Sequence, residues 1–199
     1  MPNDPTNPAA NPIRNLHIPG AGVGGHCLQK DPWLLKYGLD TYGEKKFEPR
    51  ILMESRRTNE YMPRHMSDLI EDAIRERQLK PKESKITILG YAFLENSDDP
   101  RNTPTIPLYE ILNKQYKQVI VHDPYIKKGE TIEILNDLND AIKDSHCIAI
   151  VTRHREYTIL TPEALLGLMK APIIVDGRNT LNPKLFREKG FIFRGVGIP

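Results

Sequence analysis

Beyond Lys80 the chain repeats one pattern: a short run rich in Ile and Val, a polar turn, then a segment with helical spacing. The runs are "KITILG", "QVIVHD", "CIAIVT", "PIIVDG" and "FIFRGVG". Between them lie "TPTIPLYEILNKQY", with Thr103 as its expected cap, then "LNDLNDAIKDS", "TPEALLGLM" and "NPKLFREKG". Continuous apolar runs are strands covered on both faces, and strands separated by helices join in parallel. The pattern predicts an α/β fold over residues 83–199, a doubly wound parallel sheet with helices on both faces.

Such sheets take ligands outside the carboxyl ends of their strands. The turns expected there are "GYAFLENSDDPRNTP", "HDPY", "TRHREY" and "DGRN", which bring Arg101, Asp123, His154 and Arg178 to one rim. Arginines at such a rim suit a phosphate or pyrophosphate, which they can fork bidentately. The first turn has no glycine fingerprint, so a dinucleotide is not expected to bind there.

Residues 46–82 read as one long amphipathic helix, kinked near Pro63, with Met62, Met66, Leu69, Ile70, Ala73 and Ile74 at spacings of three and four. The helix is longer than a small domain needs, so its apolar stripe is expected to face another chain. The competing reading is that the stripe covers this domain. Residues 1–12, rich in Pro and Asn, are expected to be a mobile tail or the cut end of something longer. They lack the basic and apolar regions of a signal peptide, and no apolar run approaches the length of a membrane span, so the cytoplasm is the expected compartment. With a net charge of +2 and no Lys/Arg run interleaved with aromatics, a nucleic-acid partner is not expected. Two distant cysteines, Cys27 and Cys147, provide neither a disulfide framework nor a metal site.

The segment "IPGAGVGGHCLQKDPW" stands before the long helix. Gly20, Gly22 and Gly25 satisfy G-x-G-x-x-G, but the motif binds a dinucleotide only between a strand and a helix. Here Pro19 precedes it, and the next helix is expected to open only after Asp31, as N-cap, with Pro32 at its first position. The alternative makes the glycines a close-fitting backbone surface that presents Cys27 as a nucleophile. Lys30 would favour a thiolate, and Asp31, four residues on, could accept a proton or orient water. His26 is a weaker candidate base, because adjacent side chains point apart. A loop cysteine without a role remains the plain alternative.

The ordered runs "PGAGVGGHCLQKDP", "RRTNEYMP", "ITILGYAFLENSDDPRNTP", "VIVHDP" and "VDGRN" resemble the carboxy-terminal two-thirds of the UDP-glucose/GDP-mannose dehydrogenase family, from about residue 13 onward. The resemblance implies an enzyme that oxidises the C6 alcohol of a nucleotide sugar to a carboxylate with two NAD. Cys27 would form a thiohemiacetal and then a thioester, and Asp31 would assist proton transfer and hydrolysis. It also implies substrate contacts from Gly22, Gly24, Gly25, Lys30, Arg101 and Arg178, and from Arg14 toward a neighbouring subunit. Residues 1–45 then comprise the tail and cysteine loop, 46–82 a dimerisation helix, and 83–199 a Rossmann-like UDP-sugar domain.

Leu94 stands where family members usually carry a substrate-contacting lysine, and nothing in the sequence corresponds to the family's NAD-binding domain. The chain is therefore expected to bind a UDP-sugar and form a homodimer without oxidising anything alone. "GGHC" with "DPW" resembles the branch acting on UDP-N-acetylhexosamines such as UDP-N-acetylmannosamine, and "LQKD" the UDP-glucose branch. A non-catalytic nucleotide-sugar-binding dimer is the rival reading.

Overall fold

The structure, a computed structural model, describes residues 20–44 and 47–198. In chain order the elements are α1 (Cys27–Tyr42), α2 (Arg50–Glu76), a 3-10 turn (Pro81–Glu83), β1 (Lys85–Leu89), α3 (Thr105–Gln115), β2 (Gln118–His122), β3 (Ile134–Leu135), α4 (Leu138–Ile142), β4 (Cys147–Ile150), α5 (Arg155–Thr158), α6 (Pro162–Leu168), β5 (Ile173–Asp176), α7 (Pro183–Glu188) and β6 (Ile192–Gly195). All five apolar runs form strands, and the sheet has six strands in the order β3-β2-β1-β4-β5-β6. Every neighbouring pair is parallel. This is the Rossmann strand order, whose reversal between β1 and β4 opens a crevice at the carboxyl edge.

Period-two alternation divides each strand between two cores. Cys147 and Ala149 of β4 point to the face covered by α2 and α3, with Ile86, Ile88, Val121, Leu108 and Leu112. Ile148 and Ile150 point to the other face, where Ile142, Leu165 and Phe186 supply the cover from α4, α6 and α7. Side chains cap all three of those short helices: Asp137 accepts from the Asp140 N–H, Thr161 from the Ala164 N–H and Asn182 from the Lys184 N–H. Thr103 lies one residue before the Pro104 N-cap of α3, yet its hydroxyl still accepts from the Thr105 N–H, at 3.1 Å.

Three expectations change. The helix expected over "LNDLNDAIKDS" shrinks to α4, because Ile134 and Leu135 pair with β2 as an edge strand and Asp137 then caps the helix. Four residues of the apolar stripe of α2, Met66, Ile70, Ala73 and Ile74, are buried in the sheet's own core, as the competing reading had it, while Met62 and Leu69 are half-buried. And α1 opens at Cys27 with His26 as N-cap, not after Asp31. Pro32 consequently sits inside the helix and is its only buried residue, while Leu28, Trp33, Leu34, Leu35, Tyr37 and Tyr42 are exposed. The long helix itself runs unbroken through Pro63.

Replacing Ile70 with alanine is expected to cost about 2–5 kcal/mol in urea unfolding, because it opens a cavity between α2 and the sheet. Leu185→Ala on the exposed side of α7 is expected to stay within about 0.5 kcal/mol.

Candidate active site

The glycine loop lies along the carboxyl edge of the sheet. The Ala21 N–H donates to the Gly177 carbonyl just beyond β5 at 3.1 Å, and the Gly25 N–H donates to the Arg101 carbonyl at 2.9 Å. The Asn102 amide returns a bond to the Gly25 carbonyl at 2.9 Å. So close is the approach that a Cβ on Gly24 would stand 2.5 Å from Phe93 Cβ and 2.7 Å from the Asn102 carbonyl oxygen. Gly25, at φ +88°, also needs the left-handed region that favours glycine. The side-chain direction of these glycines is thus filled by the chain's own atoms, and the loop's other face borders a cleft of about 220 Å³. Gly22, Gly24, Gly25, Cys27, Leu94 and Arg178 are among its lining residues.

Cys27 is exposed at the first position of α1, where the helix's unpaired N–H groups favour negative charge. Its Sγ lies 3.9 Å from His26 Nδ1. Because the helix already runs from Cys27, Asp31 falls one turn on, on the same face. Lys30 Nζ donates to Asp31 Oδ1 at 2.5 Å, and this bond raises the ammonium's pKa above its ordinary value. The other candidate cations are paired in the same way. Arg101 forks Asp99 through Nε and Nη2, and Arg178 Nη2 donates to Glu95 Oε1 at 3.0 Å. Arg14 lies outside the described residues.

Two expected rim residues have a different role. Asp123 and His154 are fully buried and bonded to each other at 3.1 Å. Asp123 Oδ2 accepts from the N–H groups of Tyr91 and Ala92, and Oδ1 from those of Tyr125 and Ile126. His154 Nδ1 accepts from the Asn96 N–H, so Nε2 carries the proton given to Asp123. Burial alone would raise the Asp123 carboxyl pKa, but the bonds from His154, Ala92 and Tyr91 outweigh it and hold the group below its ordinary value. Asp176 organises the turn after β5 through the N–H groups of Arg178, Thr180 and Leu181, and there burial prevails and raises the carboxyl pKa.

The same geometry tests a dinucleotide. An acid at the end of β2 would meet the ribose, and the N–H groups after β1 would meet the pyrophosphate. Here those groups satisfy one another, since Tyr91 and Ala92 donate to Asp123, and α3 opens only at Thr105. The described residues of the sheet edge do not fit NAD. In the glycine loop a helix does follow directly, but Gly22, Gly24 and Gly25 are packed onto Pro104, Phe93 and Asn102. Among the described residues no His, Cys, Asp or Glu cluster could hold a metal, and no helix is long and apolar enough to cross a membrane.

Two family models match in the order of this architecture: the central domain of the UDP-glucose/GDP-mannose dehydrogenase family over residues 7–61, and its UDP binding domain over residues 87–183. The chain belongs to the UDP-glucose/GDP-mannose dehydrogenase family. A UDP-N-acetyl-D-mannosamine dehydrogenase of Pyrococcus horikoshii is 35% identical over 187 residues, 94% of this chain and 41% of that protein. The crystal structure of an NDP-N-acetyl-D-galactosaminuronic acid dehydrogenase from Methanosarcina mazei Go1 superimposes with a TM-score of 0.87 at 36% identity, covering 92% of this chain and 40% of the other. The structure of a UDP-D-ManNAc dehydrogenase from Pyrococcus horikoshii gives 0.79 at 34% identity, covering 95% and 42%. The chain spans about two-fifths of the length of the curated relatives it matches.

Sequence reasoning named Cys27 and Asp31 as candidates and did not name the side chains that fix the loop from behind, Gln29, Arg56, Asn59 and Asn102. The signal for Arg56 and Asn59 was their place in "RRTNEYMP", where they continue the spacing of Met53, Pro63, Met66 and Ile70 as polar residues on the buried face of the helix.

Asp123→Asn is expected to cost about 3 kcal/mol at neutral pH, because the buried N–H groups and His154 lose an ionised acceptor. Asp123's depressed pKa gives stability that is present above the unfolded carboxylate value and lost as pH falls below about 4. Asp176 acts with the opposite sign, its contribution falling as pH rises through its raised pKa. Urea midpoints followed down the acid range should therefore fall less steeply in Asp123→Asn than in the native chain.

Proposed function

We propose that this chain is the substrate-handling part of a UDP-sugar 6-dehydrogenase, with Cys27 as nucleophile. The observation that carries the reading is Cys27 at the open end of α1, on the lip of a cleft whose other wall is the edge of the UDP-binding sheet. The sugar diphosphate lies toward Arg178 and Arg101, which exchange Glu95 and Asp99 for phosphate oxygens. Lys30 adds charge on the α1 side, Arg14 reaches toward a neighbouring subunit, and the backbone of Gly22, Gly24 and Gly25 lies against the substrate. Cys27 Sγ adds to the C6 aldehyde to give a thiohemiacetal, whose C6 hydride would pass to the oxidant to leave a thioester on Sγ; Asp31 accepts the proton of the water that hydrolyses this thioester, releasing the acid and the thiol. NAD is the oxidant that the family resemblance implies, and none of the described residues is assigned to hold it.

The name of the Pyrococcus horikoshii relative supports UDP-N-acetylmannosamine as the sugar, with UDP-glucose second. A second copy of the chain covers exposed apolar side chains of α1 and α2, Ile51 and Tyr61 of α2 among them. Those side chains, in place of the buried stripe, make the dimer contact, and no nucleic acid or membrane is needed. A nucleotide-sugar substrate fits the cytoplasm. Leu94 favours the second reading, a nucleotide-sugar-binding dimer without catalysis, because it leaves the cleft wall apolar and 52% exposed at that position.

Calorimetric titration with UDP, UDP-N-acetylmannosamine, UDP-glucose, GDP-mannose and NAD tests the proposal. UDP-sugars are expected to bind and NAD to give no heat. Arg178→Ala is expected to weaken UDP about tenfold, the worth of one charge-assisted hydrogen bond. NAD binding with silent UDP-sugars would overturn the reading. For the dimer, Ile51→Glu is expected to shift sedimentation from two copies to one; a native chain that sediments as a monomer would remove that part.

A further inference from the structure

Arg56 is a charged side chain only 5% exposed, in the first half of α2 on the buried face it shares with Met53 and Pro63. Buried guanidinium groups are retained where they are fully bonded. Its Nη1 donates to the Leu28 carbonyl at 3.2 Å and its Nη2 to Gln29 Oε1 at 2.8 Å, with Glu60 Oε1 at 3.3 Å balancing the charge. The Leu28 carbonyl is free for a definite reason: its helical partner would be the N–H of residue 32, which is proline. Arg56 supplies the donor that Pro32 lacks.

One turn along α2, Asn59 makes a two-way pair with the loop. The Val23 N–H donates to Asn59 Oδ1 at 2.7 Å, and Asn59 Nδ2 donates to the Val23 carbonyl at 3.1 Å. Gln29 closes the circuit, its Nε2 donating to the same Val23 carbonyl at 2.7 Å. The network therefore grips the chain on both sides of Gly24, Gly25, His26 and Cys27. From the sheet side the same segment is held by Arg101 and Asn102 at Gly25.

We infer that Arg56 and Asn59 are positioning residues for the nucleophile, fixing the Cys27 loop to α2 so that Sγ faces the sugar. The inference rests on the function proposed above. Neither residue lines the Cys27 cleft, so each acts through Leu28, Gln29 and Val23 and not on the substrate. Lysine could not replace Arg56, because a single ammonium does not span the Leu28 carbonyl and Gln29 as the planar fork does.

The test separates nucleotide affinity from thiol placement. Alkylation of Cys27 by iodoacetamide is timed with and without UDP-N-acetylmannosamine, read by mass spectrometry with buried Cys147 as the internal reference, and UDP affinity is measured in parallel. In Arg56→Ala and in Asn59→Ala, the milder change, protection of Cys27 by the UDP-sugar is expected to fall at least about fivefold, the equivalent of one lost hydrogen bond, with UDP affinity unchanged. Added methylguanidinium should restore protection in Arg56→Ala, since Arg56 lines a cavity of about 380 Å³ open to small solutes. Arg56→Lys should not restore it.

Native-like protection in both alanine variants would overturn the inference and leave the proposed function intact. A parallel loss of UDP affinity would also overturn it, by making the residues general supports of the fold. A native chain whose Cys27 is not protected by any UDP-sugar would remove both.

Discussion

The contact between Gly24 and the Phe93–Asn102 turn leaves no room for a side chain, and the rest of the site depends on it. Through that contact a loop belonging to the helical half of the chain becomes one wall of a cleft at the edge of the sheet. The sheet's strand order opens the crevice, Asp123 and His154 fix the turn that carries Phe93, and α2 holds the loop from the opposite side. Moving any of the three would displace Cys27 relative to the cations. Glycine is required here for close approach more than for flexibility, as is usual where backbone must meet backbone.

The three candidate cations, of which Arg178 lines the cleft, are all held in ion pairs. Lys30, Arg101 and Arg178 each meet an acid of the same chain, and two of the acids lie in the single turn "LENSDD". Such pairs at partly exposed positions are individually weak, so a diphosphate can displace them at small cost. Leu94 contributes no charge to this arrangement, and Arg178 is the one arginine among the described residues lining the cleft.

Much of the fold was legible in the sequence because apolar runs of Ile and Val have one good solution between helices. What escaped were the smallest elements: β3 is two residues and α5 four, too short for periodicity to register. The start of α1 was misplaced because Asp31 and Pro32 form a strong local start signal. The helix nevertheless extends back to Cys27, where Arg56 compensates for the missing N–H. The stripe on α2 had the right residues and the wrong partner, since periodicity shows that a face is buried without showing against what. In the site, the spacing of Cys27 and Asp31 was readable, and the structural use of Asp123 and His154 was not. A carboxylate facing a ligand and one saturated by backbone N–H groups look identical in sequence.

The most direct measurement is the position of a UDP-N-acetylhexosamine in a crystal structure of this chain. The result expected is the diphosphate against Arg178 at the carboxyl edge of β5, with C6 of the sugar about 3–3.5 Å from Cys27 Sγ, the spacing of a poised attack. A sugar turned away from Cys27, or a nucleotide bound elsewhere on the sheet, would contradict the assignment of Cys27 as the nucleophile.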